Sequence, residues 1–289
     1  MIAFGSFWLG ELSPYEKAAL SSFAERGREV VLYSYEPFRD LPTNIRQGDA
    51  REIVNQSYVN RFITDGRRNI TAFSDYFRYQ MMLKAKLCWI DADVFMLRSF
   101  EISPGEHFLV AEDENNICNA ILNIRPSSKE LAEIISACES FLDRDLPFAA
   151  SQNIVAKAFK KGRWSIPLKD PKDYMPIHYS EFYKYLLPEY RDECHDACRN
   201  AYAIHLYNNI WDSIGYFKQL LPPDGSYLHQ LLTEGPAGRH FEGVYPAPVV
   251  RALVEGWNLR FSGKAMTIGP VLKQLIPSAI RTAKRFRFS

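Results

Sequence analysis

The first 33 residues of the chain predict a strand–helix–strand unit, which constrains the fold more than any other segment does. Residues 2–7 form a short apolar run. Ser13-Pro14-Tyr15-Glu16 matches a capping box with proline in the first turn, so a helix begins there and continues to Arg26, with Gly27 as its left-handed stop. Residues 29–33, EVVLY, predict a second strand. Two strands joined by a helix favour parallel pairing and an α/β fold.

The rest of the chain continues to alternate helical patterns with strand-like runs. Residues 37–68 lack periodicity and predict loops with short helical pieces, and the Pro- and Tyr-rich residues 164–190 predict irregular structure. The other segments predict helices over residues 70–86, 129–142 and 152–159, and strands over residues 87–90, 108–111, 120–124 and 202–206. We therefore expect an α/β protein with a mostly parallel central sheet.

Charge and cysteine content argue against several classes of protein. The formal net charge is +1, whereas general nucleic-acid-binding domains need a strongly basic surface. The five cysteines are odd in number and scattered, which argues against a disulfide framework and favours a reducing compartment. No apolar stretch is long enough to cross a bilayer, and the N-terminus lacks the basic start of a signal peptide. We expect a cytoplasmic protein with no nucleic-acid partner.

The C-terminal residues differ in composition from the rest of the chain. No acidic residue follows Glu255, whereas seven basic residues do: Arg260, Lys264, Lys273, Arg281, Lys284, Arg285 and Arg287. We therefore divide the chain into an α/β domain over residues 1–255 and a basic tail over residues 256–289. Apolar residues of the tail follow helical spacing: Ile276, Ala279, Ile280, Ala283 and Phe286. This pattern fits an amphipathic helix on the anionic inner face of a membrane, and equally a solvated helix that covers the core edge.

Two aspartates, Asp91 and Asp93, directly follow the predicted strand over residues 87–90. Ligands of open α/β sheets bind beyond the carboxyl ends of the strands, and alternation in an extended segment would put both side chains on one side. Adjacent carboxylates repel each other unless a cation or hydrogen-bond donors compensate their charge. Mn²⁺ or Mg²⁺, bound by carboxylate and diphosphate oxygens, meets that need.

One helix earlier, Asp75 and Arg78 are three residues apart and therefore share a helical face. They form either a surface ion pair, which would contribute little, or a pair directed into the same cleft as the two aspartates. In the second case Arg78 would stabilise an anionic ligand and Asp75 would orient a hydroxyl group.

Residues 73–97, FSDYFRYQMMLKAKLCWIDADVFML, resemble the signature of retaining glycosyltransferases with the GT-A fold, a Rossmann-like fold of nucleotide-diphospho-sugar transferases. The likeness is strongest to glycosyltransferase family 32, including capsule-type, α-galactosyl- and α-N-acetylglucosaminyltransferases, and more distant to the large clostridial toxins. Residues 6–36 resemble the family's first strand–helix–strand, and AILNI and HLYNNIW resemble its later blocks. The resemblance covers roughly residues 1–215, and its central block is specific.

The resemblance implies a nucleotide-sugar donor, a carbohydrate or glycolipid acceptor, and Mn²⁺ or Mg²⁺ as cofactor. A UDP-sugar is the favoured donor, but these residues do not separate UDP-galactose, UDP-glucose, UDP-N-acetylglucosamine and GDP-mannose. From the compact form without a membrane anchor, we expect a role in cell-surface polysaccharide synthesis. The catalytic residues that it implies are Asp75, Arg78, Asp91 and Asp93. The metal ligands that it implies are Asp91, Asp93 and His205. The nucleotide-sugar-binding residues that it implies are Phe7, Trp8, Asp75, Arg78, Asp91, Asn119, Gln152, Asn208 and Trp211. On its own, a histidine on an apolar strand such as His205 is more often a core residue than a ligand, and the two aspartates shift the interpretation toward a metal ligand. Trp8 and Trp211 also fit ordinary packing positions.

Two positions depart from the family pattern. Ala85-Lys86 replaces the paired glycines that usually precede the aspartates. Ile210-Trp211 stands where the late histidine motif commonly ends in Ser-Trp, which bears on the role of Asn208.

A metal held by Asp93 and His205, together with Arg78, would put positive charge where a leaving diphosphate becomes negative. Retention of configuration is compatible with front-face attack and with double displacement, because no second carboxylate stands out as a nucleophile. Glu112, Asp113 and Gln152 are candidates for the neighbourhood of the acceptor, and a polar loop with a helix cap is their alternative interpretation.

Two other functions fit part of the pattern. A strand followed by Asp-x-Asp-Val also resembles the nucleophile motif of haloacid-dehalogenase-type phosphohydrolases, but that motif normally opens its domain and needs a later Asp-Asp pair, and no Asp-Asp dipeptide occurs here. A transferase-like domain that binds carbohydrate without turnover is the second alternative. The presence of Asp75, Arg78, Asp91, Asp93 and His205 argues against it.

Overall fold

The structure is a computed structural model that describes residues 2–145, 153–161, 163–235 and 240–262. Gln152 and the basic tail beyond residue 262 lie outside the described residues, and so does the amphipathic helix expected in that tail. None of the helices in the described part combines the length and apolar character needed to cross a bilayer.

The strands of the described residues are, in chain order, β1 (Phe4–Phe7), β2 (Val30–Ser34), β3 (Arg46–Asp49), β4 (Ile63–Thr64), β5 (Arg67–Arg68), β6 (Cys88–Ile90), β7 (Val94–Met96), β8 (Phe108–Ala111), β9 (Ile117–Asn123), β10 (Lys160–Lys161), β11 (Arg163–Trp164), β12 (Ala203–His205), β13 (Leu220–Leu221) and β14 (Gly243–Val244). The helices are α1 (Pro14–Glu25), α2 (Ile70–Lys84), α3 (Lys129–Glu139), α4 (Ile154–Phe159), α5 (Arg191–Cys198), α6 (Asn208–Ser213), α7 (Tyr227–Thr233) and α8 (Ala247–Phe261). Short 3₁₀ helices occupy much of residues 171–190, where irregular structure was expected.

The central sheet has six strands in the order β3-β2-β1-β6-β9-β8. The first four strands run parallel to one another, whereas β9 is antiparallel to both β6 and β8. The predicted α/β class with a mostly parallel central sheet is therefore confirmed. Strand β3 was missed, because its sequence RQGD is polar and three of its four residues are exposed at the sheet edge.

The N-terminal strand–helix–strand unit has the predicted form. Both halves of the capping box are present at the start of α1: Ser13 Oγ accepts from the backbone N–H of Tyr15, and the Glu16 side chain accepts from Ser13 N–H. Gly27 has a φ of 73° just after the helix, as a left-handed stop requires. Strands β1 and β2 are parallel neighbours, paired from Phe4 with Val30 to Phe7 with Tyr33.

Helices cover both faces of the sheet, and the alternation of β6 shows how. Cys88 and Ile90 pack in a core cluster with Leu20 and Phe23 of α1. Trp89 points to the other face, into a cluster that also contains residues of α2 and α3. Asp91, directly after β6, contacts Arg78 of α2, so the carboxyl end of β6 opens toward α2.

The C-terminal half forms a second layer beside the sheet. Strand β12, expected over residues 202–206, pairs antiparallel with β7 in a two-stranded sheet and does not join the central sheet. The apolar cluster around it includes Trp211, Leu228 and Val250. The compositional boundary at residue 255 falls inside α8, whose Val254 and Trp257 belong to this cluster.

Candidate metal centre and the cavities beside it

Asp91, Asp93 and His205 form a compact group in which one ligand atom from each residue lies within 4.8 Å of the others. The sequence predicted that the two aspartates lie in an extended segment. They lie instead in a turn, in which Val94 N–H donates to Asp91 C=O at 3.1 Å. This turn follows β6 at the carboxyl end of the parallel strands, where the site was expected. The group could hold a metal ion.

The pairing of β7 with β12 brings His205 to the aspartates. Strand β7 begins at Val94, directly after Asp93, and Val94 is paired with His205 in the ladder. The backbone N–H of Leu206 also donates to the Asp93 carbonyl at 3.0 Å. A residue more than a hundred positions away is thus fixed against the turn by backbone hydrogen bonds.

Asp93 is the most buried member of the group, with 10% of its side chain exposed. Its Oδ1 lies 3.3 Å from His205 Nε2, and its Oδ2 accepts the backbone N–H of Asn208 at 2.8 Å. Burial alone would raise the pKa of the Asp93 carboxyl, but the charge and hydrogen bond of His205 and the Asn208 N–H outweigh it and lower that pKa. The same pairing overcomes burial at His205 and raises the imidazole pKa.

Asp91 is held by a different set of groups. Its Oδ1 accepts from Trp89 Nε1 at 2.6 Å and lies 3.3 Å from an Arg78 guanidinium nitrogen. That nitrogen is also 3.2 Å from Asp75 Oδ1, and a second one donates to the carbonyl of Asn119 at 2.8 Å. The buried Arg78 therefore bridges both carboxylates, which excludes the surface ion pair that was one interpretation of Asp75 and Arg78.

Burial raises the pKa of the Asp75 carboxyl to about 6, with the Arg78 charge opposing the rise and the Asp91 charge adding to it. A folded-state pKa above the unfolded value of about 3.9 means that the unfolded chain releases this proton at lower pH. The ionised Asp75 thus lowers stability progressively as the pH rises from about 4 to about 6.

Asp75→Asn removes this titration. Relative to the variant, the wild-type free energy of unfolding should fall by up to about 3 kcal/mol between pH 4 and pH 7, because two pKa units correspond to about that energy. Urea denaturation of the metal-free protein at several pH values measures the difference.

Glu189→Gln is a control of opposite sign. Arg251 donates to both oxygens of Glu189, each at 2.9 Å, and lowers the pKa of that carboxyl. Its charge therefore adds stability that is present above the unfolded pKa and lost as the pH falls. The stability deficit of Glu189→Gln should grow with rising pH, and a pH trend of the same sign in both variants would contradict the assignment at Asp75.

Two cavities meet at the metal-ligand group. The larger has a volume of about 840 Å³ and the smaller about 400 Å³. Both are lined by Thr71, Arg78, Asp91, His205, Tyr207, Asn209 and Ile210. A ligand that extends from one cavity into the other would therefore pass the aspartate pair and Arg78.

The residues singled out from the sequence divide between these cavities. Those that line only the smaller one are Phe7, Trp8, Asp93 and Asn208. Those that line only the larger one are Asp75, Glu112, Asp113 and Asn119. Trp211 lines neither cavity: it is fully buried in the core against Tyr15 and Tyr216. Its role as a nucleotide-sugar contact stays a prediction from the resemblance alone.

Sequence reasoning missed Tyr207, which borders both cavities. It adopts the left-handed conformation at φ 59°, an uncommon backbone state for a tyrosine, at the position directly before α6. Its ring lies 4.3 Å from that of His205, and its hydroxyl donates to the Ile177 carbonyl at 2.8 Å. Its position two residues after His205 was the one available signal.

The donor set fits a divalent cation. Two carboxylates and an imidazole supply the oxygen and nitrogen ligands that divalent cations such as Mn²⁺ bind. Within the described residues, His205 Nδ1 and Asn119 Oδ1 are buried without a hydrogen-bond partner. Such unsatisfied polar atoms are costly in a ligand-free site and are expected where a ligand or an ordered water completes it.

The fold and the site together define an α/β protein with a candidate metal centre at the carboxyl edge of its sheet. No model of a known protein family matches the chain, and a search of curated proteins found no match.

Proposed function

We propose that the protein is a metal-dependent retaining glycosyltransferase of the GT-A type, which transfers a sugar from a nucleotide-sugar donor to a carbohydrate or glycolipid acceptor. The observation that carries this proposal is the junction of two cavities at Asp91, Asp93 and His205. A nucleotide-sugar has two dissimilar ends joined by a diphosphate, and a cation site between two cavities matches that division. A UDP-sugar is the favoured donor, from the resemblance.

The smaller cavity suits the nucleoside. Trp8, directly after β1, supplies partly exposed aromatic surface on which a base can stack, and the buried Phe7 lines the same cavity. Lys218 Nζ lies 5.9 Å from the centre of the Trp8 ring and is held there by Glu16 and Asp212. The larger cavity suits the donor sugar and the acceptor, because its polar groups Asp75, Glu112 and Asn119 can accept hydrogen bonds from sugar hydroxyls.

The chain's own residues provide binding and charge at the leaving group. Arg78 borders both cavities, so its guanidinium can neutralise diphosphate charge while its pairing with Asp75 and Asp91 fixes its position. Asp75 can orient a sugar hydroxyl. A divalent metal held by Asp91, Asp93 and His205 would supply positive charge to the departing diphosphate. The imidazole ligand favours Mn²⁺ over Mg²⁺, which strongly prefers oxygen.

Release of nucleoside diphosphate from a panel of nucleotide sugars tests the proposal. The panel comprises UDP-galactose, UDP-glucose, UDP-N-acetylglucosamine and GDP-mannose, each with Mn²⁺ and with EDTA. We expect slow, Mn²⁺-dependent hydrolysis of one donor, and thermal stabilisation by that donor that grows with ln(1 + [L]/Kd). Stabilisation without release would indicate a non-catalytic binding domain. Hydrolysis of p-nitrophenyl phosphate in place of nucleotide sugars would indicate a phosphohydrolase.

A further inference from the structure

Glu16 does more than cap α1. Its side chain is completely buried, whereas the acidic residue of a capping box needs only to reach the first backbone N–H of its own helix. Oε2 accepts that N–H from Ser13 at 2.6 Å. Oε1 accepts from Asn208 Nδ2 at 2.6 Å and pairs with Lys218 Nζ at 3.1 Å. A buried carboxylate needs such compensation, so these contacts constrain one another.

Glu16 determines how the Asn208 amide is oriented. An ionised carboxylate can only accept hydrogen bonds, so the NH₂ group of Asn208 must face it and Oδ1 must point away. Asn208 Oδ1 is buried and has no hydrogen-bond partner in the described part of the chain. The residue lines the smaller cavity, at the start of α6.

The same asparagine holds the metal centre through its backbone. Asn208 N–H donates to Asp93 Oδ2 at 2.8 Å, so the chain of contacts runs from Glu16 through Asn208 to a candidate metal ligand. Lys218 forms a second branch, since it bridges Glu16 and Asp212, each at 3.1 Å, beside Trp8. One buried carboxylate on α1 thereby connects the metal ligand and the aromatic end of the smaller cavity.

We propose that Glu16 is a positioning residue for the metal centre: it fixes Asn208 so that the Asn208 N–H holds Asp93 in its ligating position. The inference rests on the proposed metal-dependent function only in requiring that the centre binds a divalent cation. It concerns the orientation of Asp93 and not the transfer step, so it can be tested without any substrate.

The test is a titration of the metal-free full chain with Mn²⁺ alone, in which electron paramagnetic resonance measures the Kd for Mn²⁺. Glu16→Gln keeps the side-chain volume but loses the charge and one of the two acceptor oxygens, so it cannot retain all three contacts. We expect the Kd for Mn²⁺ to rise about tenfold, the lower end of the range for residues that orient metal ligands. Asn208→Ala should raise the Kd similarly. The double variant should bind Mn²⁺ no more weakly than the weaker-binding single variant, because both substitutions break the same series of contacts from Glu16 through Asn208 to Asp93.

Ser13→Ala is the matched control. It removes the other half of the capping box and should cost about 1 kcal/mol of stability, but the Ser13 N–H and the Glu16 contacts stay. Its Kd for Mn²⁺ should equal that of the wild type. A loss of affinity as large as that of Glu16→Gln would overturn the positioning role in favour of general weakening of α1.

The remaining outcomes separate this inference from the proposed function. Wild-type affinity in Asn208→Ala, which loses the Glu16 contact outright, overturns the inference and leaves the metal centre intact. It does so whatever the affinity of Glu16→Gln, because the remaining side-chain oxygen of that variant can still accept from Asn208. Absence of Mn²⁺ binding by the wild-type protein overturns both proposals. If the variants bind Mn²⁺ more weakly but the wild-type protein releases nucleoside diphosphate from none of the donors, the positioning role is supported and the proposed glycosyltransferase function is overturned.

Discussion

Asp93→Asn is expected to weaken Mn²⁺ binding by at least about a hundredfold, which exceeds the usual effect of changing a residue that only orients a ligand. Asp93 is the aspartate that contacts both His205 and the N–H of Asn208. The asparagine amide has nearly the shape of the carboxylate but lacks its charge. One of the two carboxylate oxygens is replaced by an NH₂ group, which donates hydrogen bonds and cannot ligate a cation. Release of nucleoside diphosphate should fall by about 10²–10³-fold or more, the range found when one stabilising group is removed from a transition state.

Asp192→Asn is the control for this prediction. Asp192 is exposed on α5, pairs with the adjacent Arg191 and lines neither cavity. Electron paramagnetic resonance titration should give the wild-type Kd for this variant. Circular dichroism establishes that both variants are folded. Tight Mn²⁺ binding by Asp93→Asn would remove Asp93 from the metal centre.

Arg78→Met is expected to cost about 3–5 kcal/mol of stability at pH 7, the usual effect of removing one partner from a buried ion pair. Burial alone would lower the pKa of Arg78, but Asp91 and Asp75 outweigh burial and raise it, so the charge is firmly retained. Without it, two carboxylates share a cavity wall uncompensated. The loss should be smaller at pH 5, where Asp75 is mostly protonated, and larger at pH 8. Urea denaturation at the three pH values measures it.

Arg98→Met is a control with closely similar contacts. Arg98 donates to the Ala201 carbonyl and lies 4.7 Å over the Tyr202 ring, much as Arg78 donates to the Asn119 carbonyl and lies 4.8 Å over Trp89. Arg98 is more exposed, and the contacts found for it in the described residues include no carboxylate. Its replacement should cost less than about 1 kcal/mol at every pH. Equal losses in the two variants would contradict the role given to the carboxylates.

Local sequence signals predicted the part of the fold that positions the aspartates. The capping box located α1 within one residue, because its hydrogen bonds lie within four consecutive residues. The apolar run before Asp91 predicted β6, and buried parallel strands require such runs. The helical spacing of Asp75 and Arg78 predicted their shared face, which the ion pair confirms.

Contacts between distant segments could not be predicted in the same way. The pairing of His205 with Val94 depends on a register between strands more than a hundred residues apart, and neither strand is longer than three residues. The second role of Glu16 depends on Asn208, 192 positions later. Strand β3 was missed for another reason: an exposed edge strand needs no apolar pattern, and backbone pairing with β2 alone defines it.

Diffraction at the manganese absorption edge, from crystals grown with Mn²⁺ and a nucleoside diphosphate, tests the central claim most directly. We predict an anomalous peak within about 2.2 Å of ligand atoms of Asp91, Asp93 and His205, a normal distance for oxygen and nitrogen ligands. The diphosphate should bind beside it, with the base toward Trp8. A peak at another position, or a diphosphate bound away from the aspartates without any peak, would contradict the account.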